Sequence, residues 1–338
     1  MRQQNDAPTS ITLPEETINR FPLFKHFLFT SFTVNRTTKS HLGFTMGLRD
    51  WFATFLSTIQ IKNSETISTR YHTITKRLNI DFWGNDSDTY HSLYVGSYGR
   101  HTAVNGDSDV DMIFQLPYSW YVTYSNYTSN GQSSLLQSVR ASLLKTYPNS
   151  ALGADGQVIK ISFADGLVFE VVPAFENTDY SFTHPDSNNG GSWKTTNPRP
   201  EIQAIRDRNS DANSNLIPLC RMMRAWKAEW NVPMGGLLID TLAYQFMATW
   251  PQRDKSIFYY DWMSRDFFRF LADQDTDKRW WRAPGSAQWV YWRGNFQTKG
   301  EKCYRLALAA IEHETADPKR EHAAKSKWRD IYGTNFPS

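Results

Sequence analysis

Gly96-Ser97-Tyr98-Gly99-Arg100-His101-Thr102-Ala103-Val104-Asn105-Gly106-Asp107-Ser108-Asp109-Val110-Asp111-Met112-Ile113-Phe114 runs from a small-residue turn into an apolar strand. Asp109 stands twelve residues after Ser97, and Asp111 two residues further on. Alternate residues of a strand share a face, so Asp109 and Asp111 project together while Val110, Met112 and Phe114 project the other way. Two carboxylates side by side repel each other, and the usual physical reason to keep them there is a divalent cation. The Gly96-Ser97 turn offers backbone N–H groups and a hydroxyl, which suit phosphate oxygens. A phosphate cradle beside a magnesium site is equipment for phosphoryl or nucleotidyl transfer.

Residues 92–96 read as a short strand entering this turn, and 109–116 as the strand that leaves it. Upstream, Trp51, Phe52, Phe55, Leu56 and Ile59 recur at helical spacing, and Ile67, Tyr71, Ile74 and Leu78 mark a second helix over 64–79. Downstream, residues 117–131 are rich in Tyr, Ser and Asn and read as a loop, followed by a helix over 132–147. Residues 157–163 alternate as a strand, Ala164-Asp165-Gly166 signals a hairpin, and 167–173 form the partner strand. Residues 176–200, rich in Asn, Gly, Ser and Pro, read as a long loop of the functional kind. From residue 201 the pattern turns helical, with helices expected over 214–230, 235–249, 259–273, 302–314 and 317–331.

This order predicts an α+β chain in two lobes, a mixed β-sheet with helices followed by a helical C-terminal lobe, with the active site in the cleft between them. Residues 46–200 would be the catalytic core with its N-terminal helices, and 201–338 a helical nucleotide-binding lobe. Residues 1–45 mix Thr, Asn, Pro and Phe without a sustained period and are read as an extension of uncertain structure, with Met46 the expected natural start.

A 40% hydrophobic content is enough for a real core, and a net charge of +3 argues against a protein that coats nucleic acid by bulk charge. Strong nucleic-acid binding is therefore not expected. Cys220 and Cys303 are far apart in helical contexts, which disfavours a disulfide framework or zinc cluster and suits reduced thiols in a cytoplasmic protein. No run of about 18 apolar residues exists, so no membrane span is expected. Lys278-Arg279-Trp280-Trp281-Arg282-Ala283-Pro284 is aromatic and basic; an aromatic packing corner is the favoured reading over a nucleotide-cleft lining or a partner contact.

A third carboxylate would complete the cation cage, and Glu170 is the best candidate. It stands alone in an apolar strand, where a charge is costly unless paired or metal-bound, and the hairpin lays that strand into the same sheet. Glu176 lies past Pro173, and Asp107 belongs to the loop before the strand, so both are weaker candidates. Two magnesium ions, for which manganese can substitute, would be held by Asp109, Asp111 and Glu170, one on the donor triphosphate and one on the acceptor hydroxyl. This chemistry needs no Ser-His-Asp or Cys-His nucleophile, and His91 and His101 are read as structural or solvent-facing.

Gly96-Ser97, Ser108-Asp109-Val110-Asp111 and Phe169-Glu170-Val171-Val172-Pro173 together resemble the polymerase-β-like nucleotidyltransferase superfamily. Within it the stretch Gly96 to Met112 is most similar to the bacterial cGAS-like nucleotidyltransferases, the CD-NTases, and so are the Trp193–Arg199 loop and the Leu219–Lys227 helix. In oligoadenylate synthases and their relatives the corresponding helix carries a basic residue that holds the donor triphosphate. Arg224 falls at that position, where lysine is usual, and Lys227 is one turn on. The third acid is Glu170 where many relatives have Asp. The resemblance covers residues 46–338. It implies an enzyme that makes a cyclic di- or trinucleotide from NTPs in antiphage (CBASS) signalling, with a separate effector protein reading the product and a regulatory protein as a possible partner.

Three other readings compete. A template-independent RNA-tailing nucleotidyltransferase shares the metal site but would carry a basic RNA-binding extension, against which the modest charge weighs. A non-catalytic relative would be expected to lack an acid, and all three candidates are present. An aminoglycoside-type transferase fits the Arg224 helix poorly.

Overall fold

A computed structural model describes residues 47–106 and 109–338. The extension read over residues 1–45, and Asp107 and Ser108 of the motif, lie outside the described residues.

The N-terminal half runs α1 (Leu48–Ile59), α2 (Ser64–Leu78), β1 (Ser92–Tyr94), a single turn α3 (Gly96–Gly99), β2 (Val110–Gln115), α4 (Tyr118–Ser125), α5 (Gly131–Leu144), β3 (Ala151–Asp155), β4 (Val158–Ser162), β5 (Val168–Glu176), β6 (Phe182–Asp186) and β7 (Ser192–Thr196). The remainder is α6 (Pro198–Asp211), α7 (Leu216–Trp230), α8 (Gly236–Thr249), α9 (Tyr260–Ala272), β8 (Trp280–Arg282), β9 (Trp289–Tyr291), α10 (Gln297–Thr315) and α11 (Glu321–Tyr332).

The sheet is mixed, in the order β1-β2-β5-β4-β3, with β6 and β7 continuing from the far end of β5. Among the described strands only β2 and β5 pair in parallel, with Asp111 directly opposite Glu170. The period-2 pattern of these strands divides the sheet into two faces. Val110, Met112, Phe114, Ile159, Ile161, Phe169 and Val171 are buried against the apolar stripes of α2 and α5. The opposite parity carries Asp111, Glu170 and Lys160 toward the cleft.

A second core forms the helical lobe, where α7 and α8 contribute Leu219, Met222, Met223, Trp226, Leu238, Ile239 and Leu242. The first helix joins this core and not the sheet: Trp51, Phe52 and Phe55 pack with Trp328, Tyr332 and Phe336. Its helical period announces a buried face but not which lobe buries it.

Two loop expectations fail. Residues 117–131 contain α4, whose Trp120 stacks on Tyr124 and meets Phe82, while Tyr121 packs on Phe175 and Trp193. Aromatic burial there overrides a composition that reads as loop. Residues 176–200 fold into the antiparallel pair β6–β7, which the polar residues decorate without interrupting. Strands β3, β8 and β9 are not marked in the sequence reading. In the β8–β9 pair, Trp281 and Val290 face the core while Trp280, Arg282, Trp289 and Tyr291 are exposed. Both cysteines are free and buried. No described helix is long and apolar enough to cross a membrane.

Candidate active site

The chain enters the site from β1 and turns at Gly96, whose φ of +58° suits glycine. A Cβ there would overlap the Asp111 carboxylate, so Gly96 is required twice over. Ser97 is buried at the same turn, and its carbonyl accepts the backbone N–H groups of Thr102 and Ala103, which folds the loop back on itself. The turn and the carboxylate strand are thus in direct contact, although twelve residues separate Ser97 from Asp109.

Asp111 carries the electrostatic signature of the site. Burial raises its pKa to about 6; Glu170 and Asp109 push in the same direction, and Arg100 and Arg224 oppose them. Burial, then Asp111 and Asp109, push the Tyr98 phenol up to about 12. Asp109 is more open, and Glu170 is half-buried beside Lys160, whose Nζ lies 2.8 Å from Glu170 Oε1 and 3.7 Å from Asp109 Oδ2.

The three acids therefore fall on one cleft-facing stretch of β2 and β5. Among the described residues no three His, Cys, Asp or Glu side chains are spaced as a closed cage for one ion. Magnesium is usually held by one or two carboxylates together with substrate phosphates, so its binding does not require such a cage. Oxygen-only donors, and an acid driven up by burial and then by Glu170 and Asp109, fit a divalent cation at the cleft edge.

The raised acid has a consequence for stability. Asp111 folds with a pKa above its ordinary 3.8, so in the cation-free protein its ionisation costs stability progressively from about pH 4 through 6 and fully above that. Asp111→Asn removes the charge. At pH 7.5 without divalent cation this variant is expected to gain about 1–3 kcal/mol and melt a few degrees higher, read by differential scanning calorimetry. An unchanged or lower Tm would contradict the burial of an uncompensated charge there.

Behind the acids lies a buried ionic knot that sequence reading missed. Asp240 on α8 is fully buried and accepts from Arg224 Nη2 at 2.9 and 2.8 Å, Arg100 Nε at 2.9 Å and Thr102 Oγ1 at 2.9 Å. Burial alone would raise its pKa, but the guanidinium groups of Arg224 and Arg100 outweigh it and hold the carboxyl below its ordinary value. Arg100 also reaches Glu201 of α6 at 3.5 Å, and Glu201 accepts from Ser286 at 2.7 Å. Gly236, opening α8, gives Arg224 its space, since a Cβ there would collide with Nη1. Arg100 and Thr102 follow the Gly-Ser turn, whereas Arg224 and Asp240 come from the helical lobe, so the knot ties one half to the other.

Arg224 is therefore buried and committed to Asp240, not presented as an open phosphate contact. Lys227, one turn on, is half-buried and makes no ion pair with a described residue. Arg221, one turn before, donates to the His101 carbonyl at 3.1 Å. Burial, then Arg206 and Arg221, lower the His101 pKa, so this histidine sits uncharged in a basic corner.

With the paired acids, the third acid on the parallel neighbour and the helical lobe behind them, the fold is that of a two-lobed nucleotidyltransferase. Residues 46–209 match the Second Messenger Oligonucleotide or Dinucleotide Synthetase (SMODS) domain. Among curated proteins the chain is 25% identical over 190 residues to the CBASS oligonucleotide cyclase CdnC of Escherichia coli strain KTE188, covering 53% of this chain and 56% of that one. It is 24% identical over 263 residues to the cyclic AMP-AMP-AMP synthase of an Acinetobacter species, covering 73% of each. The match to CdnC thus spans little more than half of that relative's length. Among solved structures, E. coli CdnC in its HORMA-deltaN complex superposes with a TM-score of 0.63 at 14% identity, over 86% of this chain and 98% of that one. Residues 46–209 are thus similar to the SMODS domain, and the chain shares the fold of E. coli CdnC.

Proposed function

We propose that this chain joins nucleoside triphosphates into a cyclic di- or trinucleotide second messenger, acting in the bacterial cytoplasm in CBASS antiphage defence. The observation that supports this most is the Asp111–Glu170 pair across two parallel strands, with Asp109 on the same edge and the Gly96 turn packed on Asp111.

In this reading Asp109, Asp111 and Glu170 would hold magnesium, which supplies neutralising charge to the triphosphate and activates the acceptor hydroxyl. The chain's own groups do the rest. Gly96 lets the backbone approach closely enough for the turn to cradle donor phosphates, with the Ser97 hydroxyl beside it. Arg100 and Arg224, both buried, hold the turn and the acids in register through Asp240. Lys227 takes the phosphate role that the resemblance gave to the Arg224 helix. A regulatory partner is proposed by analogy with the HORMA complex of E. coli CdnC, and a separate effector would read the product.

The test is incubation of purified protein with labelled ATP, GTP, CTP and UTP and Mg²⁺ or Mn²⁺. Phosphatase-resistant product with the mass of a cyclic di- or trinucleotide is expected. Long tails on added RNA would instead favour the RNA-tailing alternative, and no incorporation of any nucleotide would overturn the assignment as an enzyme.

A further inference from the structure

Lys160 stands inside the acid cluster. The hairpin sets Ser162 opposite Val168, and this register places Lys160 directly opposite Glu170, which is itself opposite Asp111. The sheet therefore presents a cross-strand row of Asp111, Glu170 and Lys160, ending on Gly153 of β3. On one side the ammonium binds Glu170 at 2.8 Å; on the other it approaches Asp109 at 3.7 Å. It thus links two of the three acids and puts one positive charge where these carboxylates would share a divalent cation. Gly153 leaves the β3 side of the row without a side chain, and a Cβ there would meet nothing within 4 Å. The lysine has room to move off.

We propose that Lys160 is a built-in counter-cation of this metal site. It holds Glu170 and Asp109 while no divalent cation is bound, gives them up when the cation enters, and gains nucleotide phosphate as its new anion. An ion pair and a metal cannot share the same carboxylate lone pairs at full strength, so the lysine weakens cation binding in the absence of nucleotide. A nucleotide brings negative charge into the cleft and relieves this competition. Cation and nucleotide binding are then positively coupled through one side chain. The inference rests on the metal-site reading of the proposed function.

The experiment is titration with Mn²⁺, following the free ion by electron paramagnetic resonance, with and without a non-hydrolysable ATP analogue. Lys160→Met is expected to bind Mn²⁺ about fivefold more tightly than wild type without nucleotide, the factor matching a half-exposed ion pair. Lys160→Arg should behave as wild type, and Lys160→Gln should follow Lys160→Met, which guards against a packing artefact in one variant. The tightening caused by the ATP analogue should be smaller in Lys160→Met than in wild type. Equal or weaker Mn²⁺ binding by Lys160→Met and Lys160→Gln, with binding still lost in Asp111→Ala, would overturn the counter-cation while leaving the metal site intact. Saturable binding that Asp111→Ala does not diminish would overturn the metal site itself.

Discussion

Alanine at Asp109 or at Asp111 is expected to abolish product formation, with a loss of about a thousandfold or more for either. The two side chains leave the same edge of β2, so neither can stand in for the other in holding a shared cation. Removing one leaves two acids, with Lys160 already bound to Glu170. A thousandfold loss corresponds to about 4 kcal/mol of transition-state stabilisation, within what one metal-holding acid supplies. The loss should occur without unfolding. Asp109 is largely open to solvent, and Asp111 is a group whose charge burdens the cation-free fold. Product assay on variants with wild-type circular dichroism checks this, and activity near wild type in either would contradict the metal assignment. Glu170→Ala belongs to the same test: activity within about tenfold of wild type would point to another third ligand.

The acids were legible because the rule that exposes them is local. A two-residue spacing in an apolar strand places Asp109 and Asp111 on one face whatever the tertiary structure, and Glu170 stands out as the lone charge in its strand. The hairpin signal at Ala164-Asp165-Gly166 fixed the pairing of β4 with β5 and so contained the Lys160–Glu170 pair, which follows by counting outward from the turn. Other features depend on residues far apart. Arg100 and Asp240 lie 140 positions apart, and no periodicity links them. Arg224 read as a base that holds the donor triphosphate because its helix pattern does not reveal a buried aspartate one helix away. Helix α4 was hidden for a related reason, since Tyr121 is held by Phe175 and Trp193, which the chain supplies much later.

Asp240→Ala is expected to be the most destabilising single change in the lobe junction, by about 3–5 kcal/mol, measured by urea denaturation. Asp240 is fully buried and is the common acceptor of two guanidinium groups and one hydroxyl. Its removal leaves Arg224 without a carboxylate and Arg100 with only the longer contact to Glu201, two nearly buried like charges facing each other. Asp240→Asn keeps the shape but not the charge and should fall between Asp240→Ala and wild type. Arg224→Ala separates two accounts of this helix. If Arg224 served mainly as a phosphate contact, its loss would raise the KM for NTP and leave stability unchanged. Its bonds to Asp240, Thr102 and the Gly236 carbonyl predict the reverse order, a stability loss first and a turnover defect that follows from a loosened Gly-Ser turn. The knot holds the loop just after Ser97 to the helical lobe, so weakening either end should lower kcat even at saturating nucleotide. Unchanged stability in both Asp240→Ala and Arg224→Ala would show that the lobes are joined by their apolar contacts alone.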